Sequence, residues 1–504
     1  MEILIKKRKL NSTEHLPKDA RTLLQTPRAV QWQACGNGQY WHCGIDVYLR
    51  NFFHDLSQDL TISINVNMDG LPVFNSSKIE FWPILINVFE MKDIQPMVAG
   101  IYCGVGKPAN ITEFLSQFVE EMLSILRDGI RINGYKLAIR IRCFICDSPA
   151  RAFIKCCANF NSQHGCLKCQ AIGEYCHLTN CNIYPARVSL KRTDSSFRNR
   201  IDEDHHKGMS PLEKLPIDMV NDVPASDVLH LIHLGIMKKL LVFWKNGKFK
   251  NVEMRWSARD IDSISKLLLQ CNMPREIHRK VRGLDCLAFW KGVEFRTFFH
   301  YISVVILRDF LPPEMYNHFL KLFCAITICT NDQYIGKYLH VADVLLADFV
   351  QEYEDIYGKG YITANVHNLL HIVDDVKQFG NLDTICAYPF ENTLYKIKNL
   401  LKTGHRPLEQ AANRISEWCR SININACSEK KSCEFPSVQT RKGHAYSITL
   451  QDGVSLRTAG NSDKWFLTKA NEIVVLQEIR KCERGVHLIG NTPLTLFVGC
   501  TRCH

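Results

Sequence analysis

Residues 61–70, TISINVNMDG, decide how the chain is read. Ile62, Ile64 and Val66 alternate with Ser63, Asn65 and Asn67, the period of two expected of a half-buried strand. Asp69 stands at the end of that strand, followed by Gly70. A carboxylate there is carried by rigid backbone at a sheet edge, a position from which a metal-dependent site can be built. Asp-Gly is also an ordinary turn signal, so this pair alone leaves both readings open.

Downstream, residues 81–88 (FWPILINV) and 96–103 (PMVAGIYC) are two further strand-like runs. Asn110, with Glu113 three residues on, marks a helix start. The run to Arg127 carries Phe114, Phe118, Met122, Leu123, Ile125 and Leu126 on one broad face. Residues 135–146 (YKLAIRIRCFIC) form a long strand, with Leu137, Ile139, Ile141 and Cys143 alternating against Ala138, Arg140 and Arg142. That strand delivers Asp147. The order strand, strand, strand, helix, strand is that of a ribonuclease H-like sheet, in which the first and fourth strands are neighbours. Asp69 and Asp147 are then expected side by side, the separation two-metal phosphoryl chemistry requires, with ions ~3.5–4 Å apart sharing a carboxylate.

After a long block with broad apolar stripes, residues 250–380, expected to be helical, the segment 383–390 is expected as a short last strand. Glu391 then opens a helix through Leu401 with Leu394, Ile397, Leu400 and Leu401 on its buried face. Glu391 is either a first-turn acid of the kind the helix dipole favours or the third carboxylate the two aspartates lack. Residues 430–504 return to short alternating runs and read as a small β-rich region.

Composition bounds the function classes. The 504 residues suffice for about three domains at ~150 residues each. Hydrophobic content of 46% with 22% charged residues is that of a globular chain with a sizeable core. No apolar run reaches the ~18 residues of a membrane-spanning helix. The opening MEILIKKRKL lacks the basic-then-apolar order of a secretory signal. The 22 cysteines are therefore expected in a reducing compartment, mostly as small buried hydrophobes. A net charge of +11 and a pI of about 8.7 favour a polyanionic partner. The basic run 6–9 is either a nuclear localisation signal or a solvated terminus. A second basic segment, 396–406, is either a phosphate contact or a solvated helix face.

Cys166-Leu167-Lys168-Cys169 reads as half of a zinc site, because two thiolates at this spacing can reach one tetrahedral ion. The candidates for the other ligands are His164, Cys176, His205, His206 and His230; the alternative is reduced structural thiols. His230 follows Asp227 in an apolar helix and is either a ligand or a core histidine. His367 and His371 share a helix face at i and i+4. They are expected to face the core or DNA, because the Glu of the zinc-protease motif is missing.

Five stretches then occur in order: DGLPVFNSSKIEFWPIL (69–85), HGCLKCQAIGEY (164–175), LKRTDSSFRNRIDEDHHKGMSPLE (190–213), DVLHLIHLGIMKKLL (227–241) and VHNLLHIVDDVKQFGNL…YPFENTLYKIKNLL (366–401). As a set they resemble transposases of the CACTA/Mirage/Chapaev-like group of cut-and-paste DNA elements, over about residues 15–420. The resemblance implies an α/β fold: a ribonuclease H-like DDE catalytic core interrupted by a large, mostly α-helical insertion between the second and third acids. Asp69, Asp147 and Glu391 map onto the three acids and would hold two Mg (or Mn) ions. Cys166 and Cys169 match the family's Cys-x-x-Cys and His230 its Asp-x-x-His-like stretch, the candidates for a structural Zn. The expected division is a lead-in (1–58), the first part of the core (59–162), the Cys/His-containing insertion (163–380), the last strand and helix of the core (381–420) and the β-rich region (430–504). Full-length relatives often carry an N-terminal zinc-containing DNA-binding domain, which this chain is expected to lack.

The expected function is Mg-dependent DNA strand cleavage and strand transfer in the nucleus. DNA is the partner, and a homo-oligomer is expected when active; no membrane and no small-molecule substrate are expected. The alternative is a catalytically inactive or domesticated DNA- or chromatin-binding relic. A third reading, a zinc-stabilised protein-interaction scaffold, predicts no DNA affinity.

Overall fold

The computed structural model describes residues 19–247, 254–426 and 436–492, apart from short gaps at 25, 28, 75–76, 92–93, 442–443, 451–453, 461, 469–471 and 483–484. The basic run 6–9 and residues 493–504, the end of the region expected to be β-rich, lie outside the described residues. The chain is mixed α/β and divides into two compact units, residues 1–254 with 311–427, and residues 255–310 with 428–504. Residues 255–310, within the expected insertion, thus group with the C-terminal stretch. No helix among the described residues is long and apolar enough to cross a membrane.

The first unit is built on β1 (Gln33–Cys35), β2 (Gly38–His42), β3 (Leu60–Met68), β4 (Leu71–Pro72), β5 (Ile79–Val88), β6 (Met97–Val105), β7 (Ile130–Ile132) and β8 (Tyr135–Phe144). They form one mixed sheet in the order β1-β2-β6-β5-β3-β8-β7, with β4 on β5. Every pairing is antiparallel except β3 with β8, which run parallel. The parallel pair is joined by the crossover helix Ile111–Asp128, which buries Phe114, Leu115, Phe118, Val119, Met122 and Ile125. Each such side chain contributes roughly 1.5–3 kcal/mol on leaving water. Asn110 caps that helix, its side chain accepting from the Thr112 and Glu113 amides, as its position in the sequence indicates.

The expectation of a half-buried β3 is corrected. Asn65 and Asn67 are buried as fully as the apolar residues between them. They sit on a covered face because β8 supplies their partners: Asn67 Nδ2 donates to the Ile145 carbonyl (2.7 Å), and Asn65 Oδ1 accepts from Arg142 Nη1 (3.2 Å) and Cys143 Sγ (3.1 Å). Buried polar groups are tolerated where such partners exist. Alternation in the sequence signalled the strand and said nothing of what lay over its second face.

The short strand expected at 383–390 is also corrected. The chain there makes a 3₁₀ turn, Leu382–Ile385, and passes at once into the helix Tyr388–Asn399. Asn381 caps the turn through the Asp383 amide, and Pro389 stands in the first helical turn, where its missing N–H costs nothing. The backbone groups that a strand would have offered to a neighbour are taken by side chains. Arg142 Nη1 and Nη2 donate to the Thr384 carbonyl (3.0 Å), the Thr384 hydroxyl (2.8 Å) and the Phe379 carbonyl (2.9 Å).

Residues 163–254 and 311–380 are mostly helices and short turns, including a small hairpin, β9 (Glu174–Cys176) with β10 (Cys181–Ile183), and the paired helices Pro313–Cys329 and Asp332–Tyr357. In the second unit, helices such as Ala258–Gln270 accompany two three-stranded antiparallel sheets. One is β11 (Ser437–Arg441), β12 (His444–Thr449) and β13 (Ser455–Arg457); the other is β14 (Trp465–Leu467), β15 (Ile473–Cys482) and β16 (Gly485–Asn491). Ile448, Leu456, Leu476 and Ile479 form their shared core, so the C-terminal region is β-rich as expected.

Candidate functional site

The register of β3 against β8 brings the two aspartates to one edge of the sheet. Val66 pairs with Phe144, and the same offset of 78 residues links Met68 to Cys146 through an N–H···S contact of 3.4 Å. That offset also separates Asp69 from Asp147. Past β3, the chain turns through Gly70, where a Cβ would meet the Trp82 ring at 3.1 Å. A side chain there would make the Trp82 ring give way by a few tenths of an ångström. Asp147 caps the helix Ser148–Ile154, its Oδ1 accepting from the Ala150 amide (2.7 Å).

Glu391 reaches the same place from the helix Tyr388–Asn399. Burial, followed by the charges of Asp147 and then Glu391, pushes the Asp69 carboxyl up to about 8. Asp147 and Glu391 thus stand close enough for their charges to act on Asp69. Among the described residues the three acids are not one of the groups whose ligand atoms all fall within 4.8 Å of one another.

His230 belongs to this site and not with Cys166 and Cys169, which corrects its expected role as a zinc ligand. Its Nδ1 is 2.5 Å from Asp227 Oδ2, and its Nε2 is 3.6 Å from Glu391 Oε1. Burial would lower the imidazole, but the hydrogen bonds and charges of Asp227 and Glu391 win and raise it to about 10. Asp227, fully buried, caps the helix that follows it through the Leu229 and His230 amides. That helix begins with wide π-helical turns, Val228–Met237, a form found preferentially at functional sites.

The helix carrying Glu391 is held from the same direction. Asp227 Oδ1 accepts from the Ala387 amide (2.9 Å), and His233 Nδ1 contacts the Tyr388 hydroxyl (2.9 Å). Arg142 holds the segment just before it. Asp227, Arg142 and His233 were not identified from the sequence. The Asp-x-x-His spacing was a signal for the first, but nothing local marks the other two.

The second cluster is buried and closed. Cys166 Sγ lies 3.7 Å from Cys169 Sγ and 3.4 Å from His371 Nε2, and Cys169 Sγ lies 3.4 Å from His367 Nε2. All four ligand atoms lie within 4.8 Å of one another. Tetrahedral zinc with Zn–S of ~2.3 Å and Zn–N of ~2.0–2.1 Å requires S···S of about 3.8 Å and S···N of about 3.6 Å. The Cys2His2 group therefore fits a metal ion such as zinc. The hydrogen bond with Cys169 pulls the Cys166 thiol down to about 7, while Cys169 is correspondingly raised. Outer contacts orient the ligands: His367 Nδ1 faces the Pro185 carbonyl (3.0 Å), and Arg192 Nε donates to the carbonyls of both cysteines.

His367 and His371, expected to face the core or DNA, thus complete with the two cysteines a group that could hold a metal ion. Of the other ligand candidates, His164 is engaged with Asp202, His205 with the His164 carbonyl, His206 packs on Phe197, and Cys176 lies opposite Cys181 in the β9–β10 hairpin. None of them joins the cluster.

A buried relay links the two clusters. Lys168, between the two cysteines, pairs with Asp375 at 2.8 Å. Asp375 Oδ2 accepts from the Ala225 amide (2.8 Å), the Ser226 amide (3.1 Å) and the Ser226 hydroxyl (2.7 Å), immediately before Asp227. Arg151 Nη1 closes the same corner on the Pro224 carbonyl (2.6 Å). No protein-family model matches the sequence, and no curated protein matches it.

Proposed function

We propose that the chain is a DDE-type DNA transposase that cleaves and joins DNA strands, with Asp69, Asp147 and Glu391 as its acids. The observation that carries this reading is the convergence of three carboxylates, more than 300 positions apart at the extremes, on the edge of a sheet whose β3–β8 pair is parallel. The order β6-β5-β3-β8, antiparallel across the first three and parallel at the last, supports a ribonuclease H-like core. The five sequence stretches that resemble the CACTA/Mirage/Chapaev-like group support the same assignment.

The donor set is all carboxylate oxygen, which suits Mg or Mn. Two such ions held by Asp69, Asp147 and Glu391 would supply an activated nucleophile and charge stabilisation at the scissile phosphate. The chain's own residues do the rest. Asp147 is fixed by its capping bond, and Glu391 by the Asp227, His233 and Arg142 contacts. His230, charged through the physiological range and braced by Asp227, offsets the repulsion among the acids and offers an N–H beside Glu391. The Cys2His2 group, in this reading a structural zinc, ties residues 166–169 to the helix that leads toward Glu391.

The test is strand cleavage and strand transfer on generic duplex DNA with Mg or Mn, comparing the unmodified chain with Asp147→Asn and Asp69→Asn. Activity lost in both variants supports the assignment. Activity equal to that of the parent overturns it. Absence of activity with DNA binding intact moves the reading to a DNA-binding relic.

A further inference from the structure

The basic segment 396–406 leaves the Glu391 helix and takes no part in the site described above. Lys402, His405 and Arg406 are exposed, and among the described residues none of their side chains is in an ion pair. The loop they stand on is nevertheless rigidly built. Gln410 Oε1 accepts from the Lys402 amide (3.0 Å) and the Thr403 amide (3.4 Å), while Gln410 Nε2 donates to the carbonyls of Thr403 (3.0 Å) and His405 (2.5 Å) and to the Thr403 hydroxyl (3.1 Å). Arg406 holds a left-handed backbone, φ +46°, uncommon for a non-glycine residue and sustained only by surrounding structure.

This loop forms one wall of an open groove of about 1230 Å³ whose opposite wall includes Arg21. Thr26 hydrogen-bonds Glu417, fixing the Arg21 segment to the helix Pro407–Ala426. Asp19 and Glu409 are the unpaired acids of the groove, and Glu417 is matched by Arg414 (2.6 Å). Arg21, Lys402 and Arg406 therefore stand against Asp19 and Glu409 in the groove, with Lys396 and Lys398 adding two cations on the helix that leads into it.

The position matters as much as the charge. At ~1.5 Å rise per residue, Lys398 lies about 10 Å along the helix from Glu391. The loop then folds back, so that a Cβ on Gly404 would touch the Phe74 ring at 3.9 Å, on the turn that leaves Asp69. The arm thus runs from the Glu391 helix back to the segment that follows Asp69 and β4. One DNA strand presents a phosphate every ~3.4 Å of axis, so Lys398 stands about three nucleotides from Glu391 along the helix.

We propose that the arm 396–406, with Arg21 across the groove, is the track that grips the phosphate backbone of duplex DNA beside the phosphodiester presented to Asp69, Asp147 and Glu391. The proposal rests on the transposase reading, but its test does not need catalysis. Binding of the full chain to a fluorescent generic DNA duplex is measured by anisotropy, with no divalent ion and no chelator added so that the carboxylate site is idle and the Cys2His2 group is left intact, over a series of salt concentrations. Lys402→Gln/Arg406→Gln is expected to weaken binding and to flatten the slope of log affinity against log salt by about 2, one for each phosphate contact removed. Gln410→Ala keeps every charge and loosens the loop; it is expected to weaken binding with the slope retained.

An unchanged slope and affinity in the double variant, with its melting curve intact, overturns the proposal whatever the cleavage assay gives. A duplex RNA of the same length bound more tightly, through the same two side chains, overturns the DNA assignment of the groove.

Discussion

Removing the metal from the Cys2His2 group should destabilise the first compact unit by an amount the chain geometry sets. Cys169 and His367 are 198 residues apart, and Cys166 and His371 are 205 apart. A single ion joining them closes a loop of that length in any state in which it stays bound. The chain-entropy relation for a cross-link of such a span gives about 5 kcal/mol. For a unit of this size that is a fall of about 6 °C in melting temperature. The ion also acts through Lys168, whose pairing with Asp375 is buried and whose displacement would leave Asp375 uncompensated.

The chain, purified under reducing conditions, is expected to carry one zinc by elemental analysis. Substitution by cobalt should give the visible and charge-transfer bands of a tetrahedral thiolate–imidazole site. Thermal melts with and without a zinc chelator then read the loss, and Cys169→Ser should reproduce it with no further effect of chelator. Binding should weaken as pH falls below about 7, because Cys166 must be a thiolate. The reasoning is refuted if the purified chain holds no metal in zinc-containing medium and the chelator leaves the melt unmoved.

Three further outcomes follow from the carboxylate site. The imidazole of His230, raised to about 10, contributes stability that is complete below its ordinary 6.5 and lost as pH rises through 10. Asp227→Asn keeps the helix cap but removes the charge. It should cost roughly 2–3 kcal/mol at pH 6, about half the full value of such a shift because the ring is a quarter exposed. The cost should shrink toward pH 10, and NMR of ¹³C-labelled histidine should show that titration dropping; a pH-independent loss would contradict the ion pair. Asp69 titrates in the same sense over a lower interval. Its raised carboxyl keeps a proton that the unfolded chain releases, so the cation-free protein should lose stability as pH rises from about 4 to about 8. Asp69→Asn should abolish that slope in denaturant titrations, and Mg or Mn binding to the parent should tighten over the same interval with release of a proton, measurable by calorimetry in two buffers. Arg142→Met should free the 379–384 segment, costing about 3 kcal/mol through three lost charge-assisted bonds and lowering hydrogen-exchange protection of the Ala387 amide. Unchanged protection would remove Arg142 from the support of Glu391.

Local pattern was sufficient for the elements on which the first two acids stand. Period-two alternation in 61–68 and 135–143, a capped amphipathic helix between them, and an aspartate after each strand are all short-range facts. Parallel pairing of the outer two follows from a helical crossover that returns the chain to the same side. The Cys-x-x-Cys turn is equally local, since both thiols come from four consecutive residues. What lies over each face was not legible. Asn65 and Asn67 looked solvent-facing because alternation records side-chain direction, whereas their burial depends on partners from β8 and the residues just after it, 78 positions away. The run before Glu391 has strand-like composition but lies where its backbone groups are bonded by Arg142 and Asp227, so it turns and enters a helix. The metal ligands His367 and His371 and the true neighbour of His230 were decided by tertiary structure alone. Each is fixed by contacts spanning some 160 to 205 residues, and no spacing rule operates over a loop of that length. Residue types determined which chemistries were available to this chain; the fold determined which histidine joined the thiolates and which joined the carboxylates, because only packing brings groups so distant in sequence within a few ångströms.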